Sequence, residues 1–462
     1  MRILLVMHEC NSPYNVLPYG IAYLASIIRN QGHSVIIYDM ATTHHNDEEL
    51  FTFIINEKKF DFIGMGFQAA YFHIALKTSK AIKAACGSTP FVLGGSAPSA
   101  SPIYILKKFD ADYLLIGECE DSIIKFLNLI ESKANSGFNE VNGLYWKKDN
   151  QIFNTKKGPP PDDLDALPFP AWDLFDMKSY TFPRRIPGIN NIVRAIGMLT
   201  SRGCPYSCKF CFRLENKYRK RSIENCIEEI EYLIKKYHIN YIRIHDDLFM
   251  VSKERTLLFC EKILEKQIKF NWGCNGRFNI ADREQLRMMN KAGCILVAYG
   301  LESGDQKILD EMDKKITVEQ IYEISKITKE EGMLVSVPSM IGLPNEDENS
   351  VNKTVNAIIG TTSWHDKRTL RPMQPYPGSY YFDYCIEKGL LKDEDDFYSR
   401  YFSSEKKTVN LSNIPDSIFD KVLYNANQKL LKKFYEDALK SDLEMFQKVY
   451  FENDSKNFIP LR

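Results

Sequence analysis

Three cysteines stand close together in the stretch TSRGCPYSCKFCF, residues 200–212. Cys204, Cys208 and Cys211 form a C-x3-C-x2-C spacing directly after an apolar segment that reads as a strand. A loop this short lets three thiolates converge on one inorganic centre. Thiolates hold iron–sulfur clusters and zinc alike. Structural zinc normally takes four closed ligands, and no fourth Cys or His lies nearby in sequence, although a distant one could fold back. On a [4Fe–4S] cluster three thiolates leave one iron open, where a substrate or cofactor can coordinate. The spacing favours iron–sulfur and leaves zinc and structural thiols as alternatives.

The elements that must carry this loop are βα units. Residues 1–130 alternate apolar strands (2–7, 34–40, 61–67, 90–95, 112–117) with helical segments (20–31, 47–57, 71–86, 119–131). Such alternation predicts a doubly wound parallel sheet covered on both faces, with ligands beyond the carboxyl ends of its strands. The Pro- and Asp-dense stretch NTKKGPPPDDLDALPFP (154–170) continues neither a helix nor a central strand and reads as a connector. Alternation resumes near 197, with strands at 197–201, 241–245, 269–275, 294–300, 333–342 and 369–375 and helices after each. Six βα units predict a partial (β/α)6 barrel of TIM type, with chemistry at the C-terminal strand ends. The expected divisions are 1–140 for the first domain, 141–195 for the connector, 196–390 for the barrel and 391–462 for a small helical region.

Composition narrows the function classes. The chain has 462 residues, 60 Lys+Arg against 60 Asp+Glu, and 44% hydrophobic residues. Zero net charge removes the global basic field of a nonspecific nucleic-acid binder. No apolar run approaches the ~18 residues of a membrane span. The N-terminus MRILLVMHEC reads as a buried strand and not as a signal peptide. Eleven cysteines, odd in number and mostly scattered, predict a reduced cytoplasmic setting and no disulfide scaffold. Cys226, Cys260, Cys274, Cys294 and Cys385 read as buried small hydrophobes.

The cysteine frame, with Phe210 as its aromatic, resembles the radical SAM superfamily signature. IHDDLFM (244–250), YGLESGDQKIL (299–309), MIGLPNE (340–346) and PYPGSYYFDYCIEKGLL (375–391) resemble, in order, the family's strand-end motifs; Asn345 stands where Gly is usual. The resemblance implies a [4Fe–4S] cluster on Cys204, Cys208 and Cys211 that binds S-adenosylmethionine and cleaves it to a 5′-deoxyadenosyl radical. It also implies SAM contacts from Phe210 (adenine), Asp246 and Asp247 (ammonium), Arg277 (carboxylate) and Glu302 (ribose or ammonium). Read alone, these residues could equally be core, cap or ion-pair groups.

The first domain resembles the cobalamin-binding domain of the B12-dependent radical SAM enzymes through NVLPYGIAYLASIIRNQGHSVIIYD (15–39), LGGSAPS (93–99) and LLIGECEDSI (114–123). It departs from that pattern at Ser96-Ala97-Pro98 and Cys119, and no D-x-H-x-x-G occurs. The resemblance therefore implies cobalamin without a protein histidine on cobalt. The corrin and its tail would be met by Gly64, Gly66, Gly94, Gly95, Ser96, Gly117 and Glu118. A domain that holds no cofactor is the alternative. The implied activity is a cobalamin-dependent methyltransferase acting on an unactivated carbon of a small molecule, with cyclisation or ring rearrangement as the other outcome. The implied partners are that substrate and a reductant such as flavodoxin or ferredoxin. A cobalamin sensor is disfavoured by the cysteine frame, and RNA modification by the neutral charge.

Overall fold

Alternate residues of the first strand enter two different cores, and that places the first sheet between layers. In β1 (Arg2–Met7), Ile3 and Leu5 pack on one face and Leu4 and Val6 on the other. β2 (Ser34–Asp39), β3 (Phe62–Gly66), β4 (Phe91–Gly94) and β5 (Tyr113–Leu115) join it in parallel. An antiparallel hairpin, β6 (Leu144–Lys148) and β7 (Gln151–Asn154), extends the sheet, giving the order β2-β1-β3-β4-β5-β6-β7. The structure is a computed structural model and describes residues 1–10, 16–57, 59–133, 136–149, 151–186, 192–362 and 366–451.

The hairpin lies beyond the expected boundary at 140. Its strands are short, and β6 ends in Lys147 and Lys148, which suits the margin of a sheet, where one face and one side stay wet. The connector proper starts after Asn154. It is tied to the first domain by Ser26, whose hydroxyl donates to the Phe169 carbonyl (2.6 Å), and by Tyr180, which donates to Asp39 (2.8 Å). It is tied to the barrel by buried Trp172, whose Nε1 donates to Glu229 (3.1 Å).

The barrel begins with β8 (Ala195–Met198). A two-stranded ribbon, β9 (Ser201–Arg202) antiparallel to β10 (Arg219–Lys220), then frames the cysteine loop. β11 (Tyr241–Ile244), β12 (Asn271–Gly276), β13 (Cys294–Tyr299) and β14 (Leu334–Ser336) complete a parallel sheet of order β14-β13-β12-β11-β8. β15 (Met340–Ile341) and β16 (Arg371–Pro372) pair separately. The single strand expected at 333–342 is thus broken. Pro338 sits in the gap, has no N–H to give a ladder, and instead accepts from the backbone N–H groups of Leu301 and Glu302, both at 3.1 Å. The intervening helices are capped by the residue type that sequence favours, as with Ser222, Ser252, Asp282 and Thr317. A last helix, Asp416–Phe451, packs onto the barrel through Phe419, Ala426 and Leu430. None of the described helices is long and apolar enough to cross a membrane.

A four-member ion network seals the seam between the two domains. Glu118, after β5, takes Arg219 in a fork (Nη1 to Oε2 2.8 Å, Nη2 to Oε1 2.5 Å) and Arg202 Nη1 at 2.9 Å. Arg202 also reaches Glu120 at 2.5 Å and lies over the Tyr23 ring. Burial opposes ionisation of Glu118, yet Arg219 and Arg202 outweigh it and hold its carboxyl below the usual range. Removing one partner of a buried pair strands the other charge, at about 3 kcal/mol or more. Arg219→Ala is therefore expected to lower the midpoint of thermal unfolding and to expose the connector to limited proteolysis. Because the Glu118 pKa is depressed, its contribution is present at neutral pH and fades on acidification below the ordinary carboxylate range; wild type and Arg219→Ala should converge in stability there.

Candidate active site

The cysteine loop leaves β9 at Gly203 and docks on the segment after β13. Lys209 N donates to the Met312 carbonyl (3.0 Å) and the Ser207 hydroxyl to Asp313 (2.8 Å). Cys208 is buried, Cys204 half-buried and Cys211 exposed at the mouth. Burial raises the Cys204 thiol, and it pushes Cys211 up to about 11; Asp247, Cys208, Cys204 and Glu302 add to the rise at Cys211. The three thiols share one short loop, and Lys314, the partner of Glu302, lies 5.3 Å from the Phe210 ring on that loop. Among the described residues no three His, Cys, Asp or Glu side chains converge as a single-ion site.

Arg277, just beyond β12, closes the other side. Its Nη1 lies 3.6 Å from Cys208 Sγ, Nε donates to Asn279 (2.9 Å), and the guanidinium sits 3.7 Å over the Tyr206 ring. Its Nη2 is buried without a partner. A buried guanidinium nitrogen with nothing to donate to is expected where an anionic group of a ligand binds. Three thiols around one mouth, with that nitrogen beside them, fit a thiolate-held cluster bearing an amino-acid ligand. Phe210 is half-buried against the core shared by both domains, with Lys314 Nζ 5.3 Å from its ring.

Glu302 lies at the same mouth, in left-handed backbone (φ 60°). Its carboxylate accepts from Lys314 Nζ at 2.7 Å, and both side chains are buried. Lys314 has no signal in the sequence beyond its place twelve residues downstream. Asn345, the departure from the glycine pattern, has φ 62°, a conformation Asn tolerates better than most residues. Beside it, buried Glu346 accepts from the backbone N–H groups of Gly342 (2.5 Å) and Leu343 (3.3 Å) and holds that loop.

The two aspartates separate. Asp247 is exposed at the mouth, whereas Asp246 is fully buried. Asp246 accepts from Thr200 N (2.6 Å), Thr200 Oγ1 (2.5 Å) and Ser201 Oγ (2.6 Å). Both its oxygens are occupied, so it locks the strand end instead of facing a ligand, contrary to the expectation.

On the first sheet, Gly66 and Gly94 lie side by side at the carboxyl ends of β3 and β4. Gly95 (φ 99°) passes so close to Phe67 that a Cβ would meet its carbonyl oxygen at 2.8 Å. Ser96 opens the following short helix, and Gly117 N donates to Ser99 Oγ (2.9 Å). Two expected corrin contacts do other work. Gly64 lies under the Leu5 and Phe62 side chains within the sheet packing. Glu118 is consumed by Arg202 and Arg219. The domains meet again at Gly378 (φ 86°), where a Cβ would lie 2.9 Å from both Ala100 and Phe212.

Comparison with known proteins agrees with this geometry. The radical SAM superfamily matches residues 198–358 and the B12 binding domain residues 10–127. The chain carries a B12-binding domain followed by a radical SAM domain. Among its relatives, an uncharacterized methyltransferase of Pyrococcus horikoshii is 27% identical over 85% of this chain and 84% of its own. The anaerobic magnesium-protoporphyrin IX monomethyl ester cyclase of Rubrivivax gelatinosus is 27% identical over 73% of this chain and 61% of its own. The fold matches that of the radical SAM methyltransferase TsrM from Kitasatospora setae, solved with cobalamin and a [4Fe–4S] cluster (TM-score 0.67, 16% identity, 83% of this chain and 75% of that one).

Two outcomes are expected for this B12-binding radical SAM protein. Lys314→Met leaves Glu302 buried and unpaired and should cost about 3 kcal/mol in denaturant unfolding, with weaker SAM binding in equilibrium dialysis. Burial pushes the Glu346 carboxyl up to about 7, a raised pKa whose contribution is complete in acid and lost as pH rises through neutrality. Wild type should lose stability between pH 5 and about 8, and Glu346→Gln should flatten that part of the profile.

Proposed function

We propose that this protein transfers a methyl group to an unactivated carbon of a small-molecule substrate. The observation that carries the reading is the meeting of the two carboxyl edges: the loops after β4 and β5 touch the cysteine loop through Ala100–Gly378–Phe212 and Glu118–Arg202. A ligand on the edge of the first sheet and one on the cysteine loop therefore border one space.

When bound, the cluster supplies the electron that cleaves SAM to a 5′-deoxyadenosyl radical, and cobalamin supplies the methyl carrier. The chain's own residues bind and orient. Cys204, Cys208 and Cys211 hold the cluster. Arg277 Nη2 takes the SAM carboxylate, Asp247 its ammonium, Phe210 flanks the adenine, and the Glu302–Lys314 pair offers an acceptor and a donor to the ribose. Gly66, Gly94, Gly95, Ser96 and Gly117 let the corrin and its tail approach the strand ends. Electrons come from a flavodoxin- or ferredoxin-type donor. Cyclisation is the second reading, because the cyclase relative is as similar in identity as the methyltransferase.

The test uses anaerobically purified, cluster-reconstituted protein supplied with hydroxocobalamin, dithionite and methyl-deuterated SAM. A corrin band retained after desalting, deuteriomethyl on the corrin, and 5′-deoxyadenosine release lost in Cys208→Ala are the expected results. Release of 5′-deoxyadenosine without retained corrin overturns methyl transfer in favour of the cyclisation reading. Bound zinc with neither signal overturns both.

A further inference from the structure

Below the mouth, the inner face of the barrel carries a set of donors that the SAM site does not use. Ile196, Met198, Ile242 and Ile244 enter the core beneath the helices. Strand alternation then turns Gly197, Arg243 and His245 inward. Asn275 joins them by its contacts, because its Oδ1 accepts from Arg243 Nη2 at 2.5 Å. Its Nδ2 donates to the Asp246 carbonyl at 2.9 Å, which fixes the amide.

Arg243 has no counter-charge. Its Nη1 is buried without a hydrogen-bond partner, and no described carboxylate lies within ion-pair distance of it. Arg202, Arg219 and Arg221 by contrast meet carboxylates, while Arg255, which has none, donates to the Thr200 and Arg221 carbonyls. A guanidinium nitrogen drawn out of water is costly unless something pairs with it.

A second donor reaches the same face from the first domain. The Tyr19 hydroxyl is buried and unpartnered, and its ring lies 5.9 Å from His245. The backbone is cut away to admit these groups. A Cβ at Gly197 would lie 1.9 Å from Tyr19 Oη and 2.8 Å from His245 Nε2. A Cβ at Gly273 would lie 2.7 Å from the Tyr241 hydroxyl and 3.4 Å from Arg243 Nη1. Burial, with the Arg243 charge adding to it, pushes His245 down to about 4, so it is a neutral imidazole at pH 7. The set is rich in donors, carries one free positive charge and has no anionic acceptor.

We infer that Arg243, with Tyr19 and His245, forms an oxyanion subsite inside the barrel that holds a carboxylate or phosphate group of the substrate. This rests on the barrel being the reaction chamber of the proposed function. It narrows the substrate class to small molecules with an anionic head and disfavours a purely apolar lipid. Tyr19 comes from the cobalamin-binding domain, so the subsite is complete only when the two domains are docked.

The test compares SAM-saturated holoenzyme with Arg243→Gln, which keeps a donor for Asn275. SAM saturation occupies Arg277. Thermal unfolding is followed with inorganic phosphate, succinate or neutral glycerol at equal ionic strength. The expected result is a rise of roughly 2 °C or more in the wild type with phosphate or succinate and none with glycerol. The larger of the two shifts identifies the head as phosphate- or carboxylate-type. In Arg243→Gln the rise is lost, while the anion-free midpoint stays equal to or above that of the wild type, because an uncompensated charge has been removed. Equal shifts in both proteins, no shift in either, or a lower anion-free midpoint in Arg243→Gln overturns the subsite. 5′-Deoxyadenosine release, measured on the same samples, reports on the radical SAM reading separately. Release with no anion effect overturns the subsite alone.

Discussion

Arg202 and Arg219 close on Glu118 and Glu120 at a seam with little water, and the cysteine loop hangs from that seam. Arg202 stands two residues before Cys204, on the short ribbon that frames the loop. Wherever the first domain holds its carboxylates, the loop must follow. An ion network of this kind is a poor source of net stability, since desolvation consumes most of the Coulombic gain. It is a good source of register, because a forked guanidinium–carboxylate contact is satisfied in one orientation only. The cysteine loop borders both domains, so its position depends on how they dock.

Charge at the mouth is arranged in the same spirit. Three thiols, Asp247 and Glu302 gather around one opening, and two cations answer them from different directions. Lys314 neutralises Glu302 directly, and Arg277 lies against Cys208 while keeping one nitrogen free. Asp246 adds a further carboxylate, yet three hydrogen bonds from residues 200 and 201 absorb it into the scaffold. Adjacent aspartates thus take opposite roles: one joins two strand ends, and the other remains available at the surface.

The barrel interior continues this division. In a closed TIM barrel bulky branched side chains fill the lumen. Here glycines at 197 and 273 give way to a tyrosine hydroxyl and a guanidinium. One of those groups belongs to the other domain. The charged groups gather at the mouth, and the unpaired donors lie apart from them on the inner face.

Much of this molecule was legible in the chain itself. Strand and helix positions follow from apolar periodicity, and the C-x3-C-x2-C spacing with its ordered strand-end motifs reveals the chemistry, because those signals lie within a few residues of one another. The barrel strand broken at Pro338 and the hairpin Leu144–Asn154 were less visible, since short edge segments carry little periodicity. The fate of individual polar side chains was not legible at all. Glu118 meets residues 84 and 101 positions away, Asp246 is claimed from 45 and 46 positions away, and Tyr19 reaches Gly197 and His245 in another domain. A carboxylate or guanidinium looks the same in sequence whether it holds a ligand or another side chain. Which it does depends on what the fold brings within about 3 Å of it, and that distance exists only once the two domains have closed on each other.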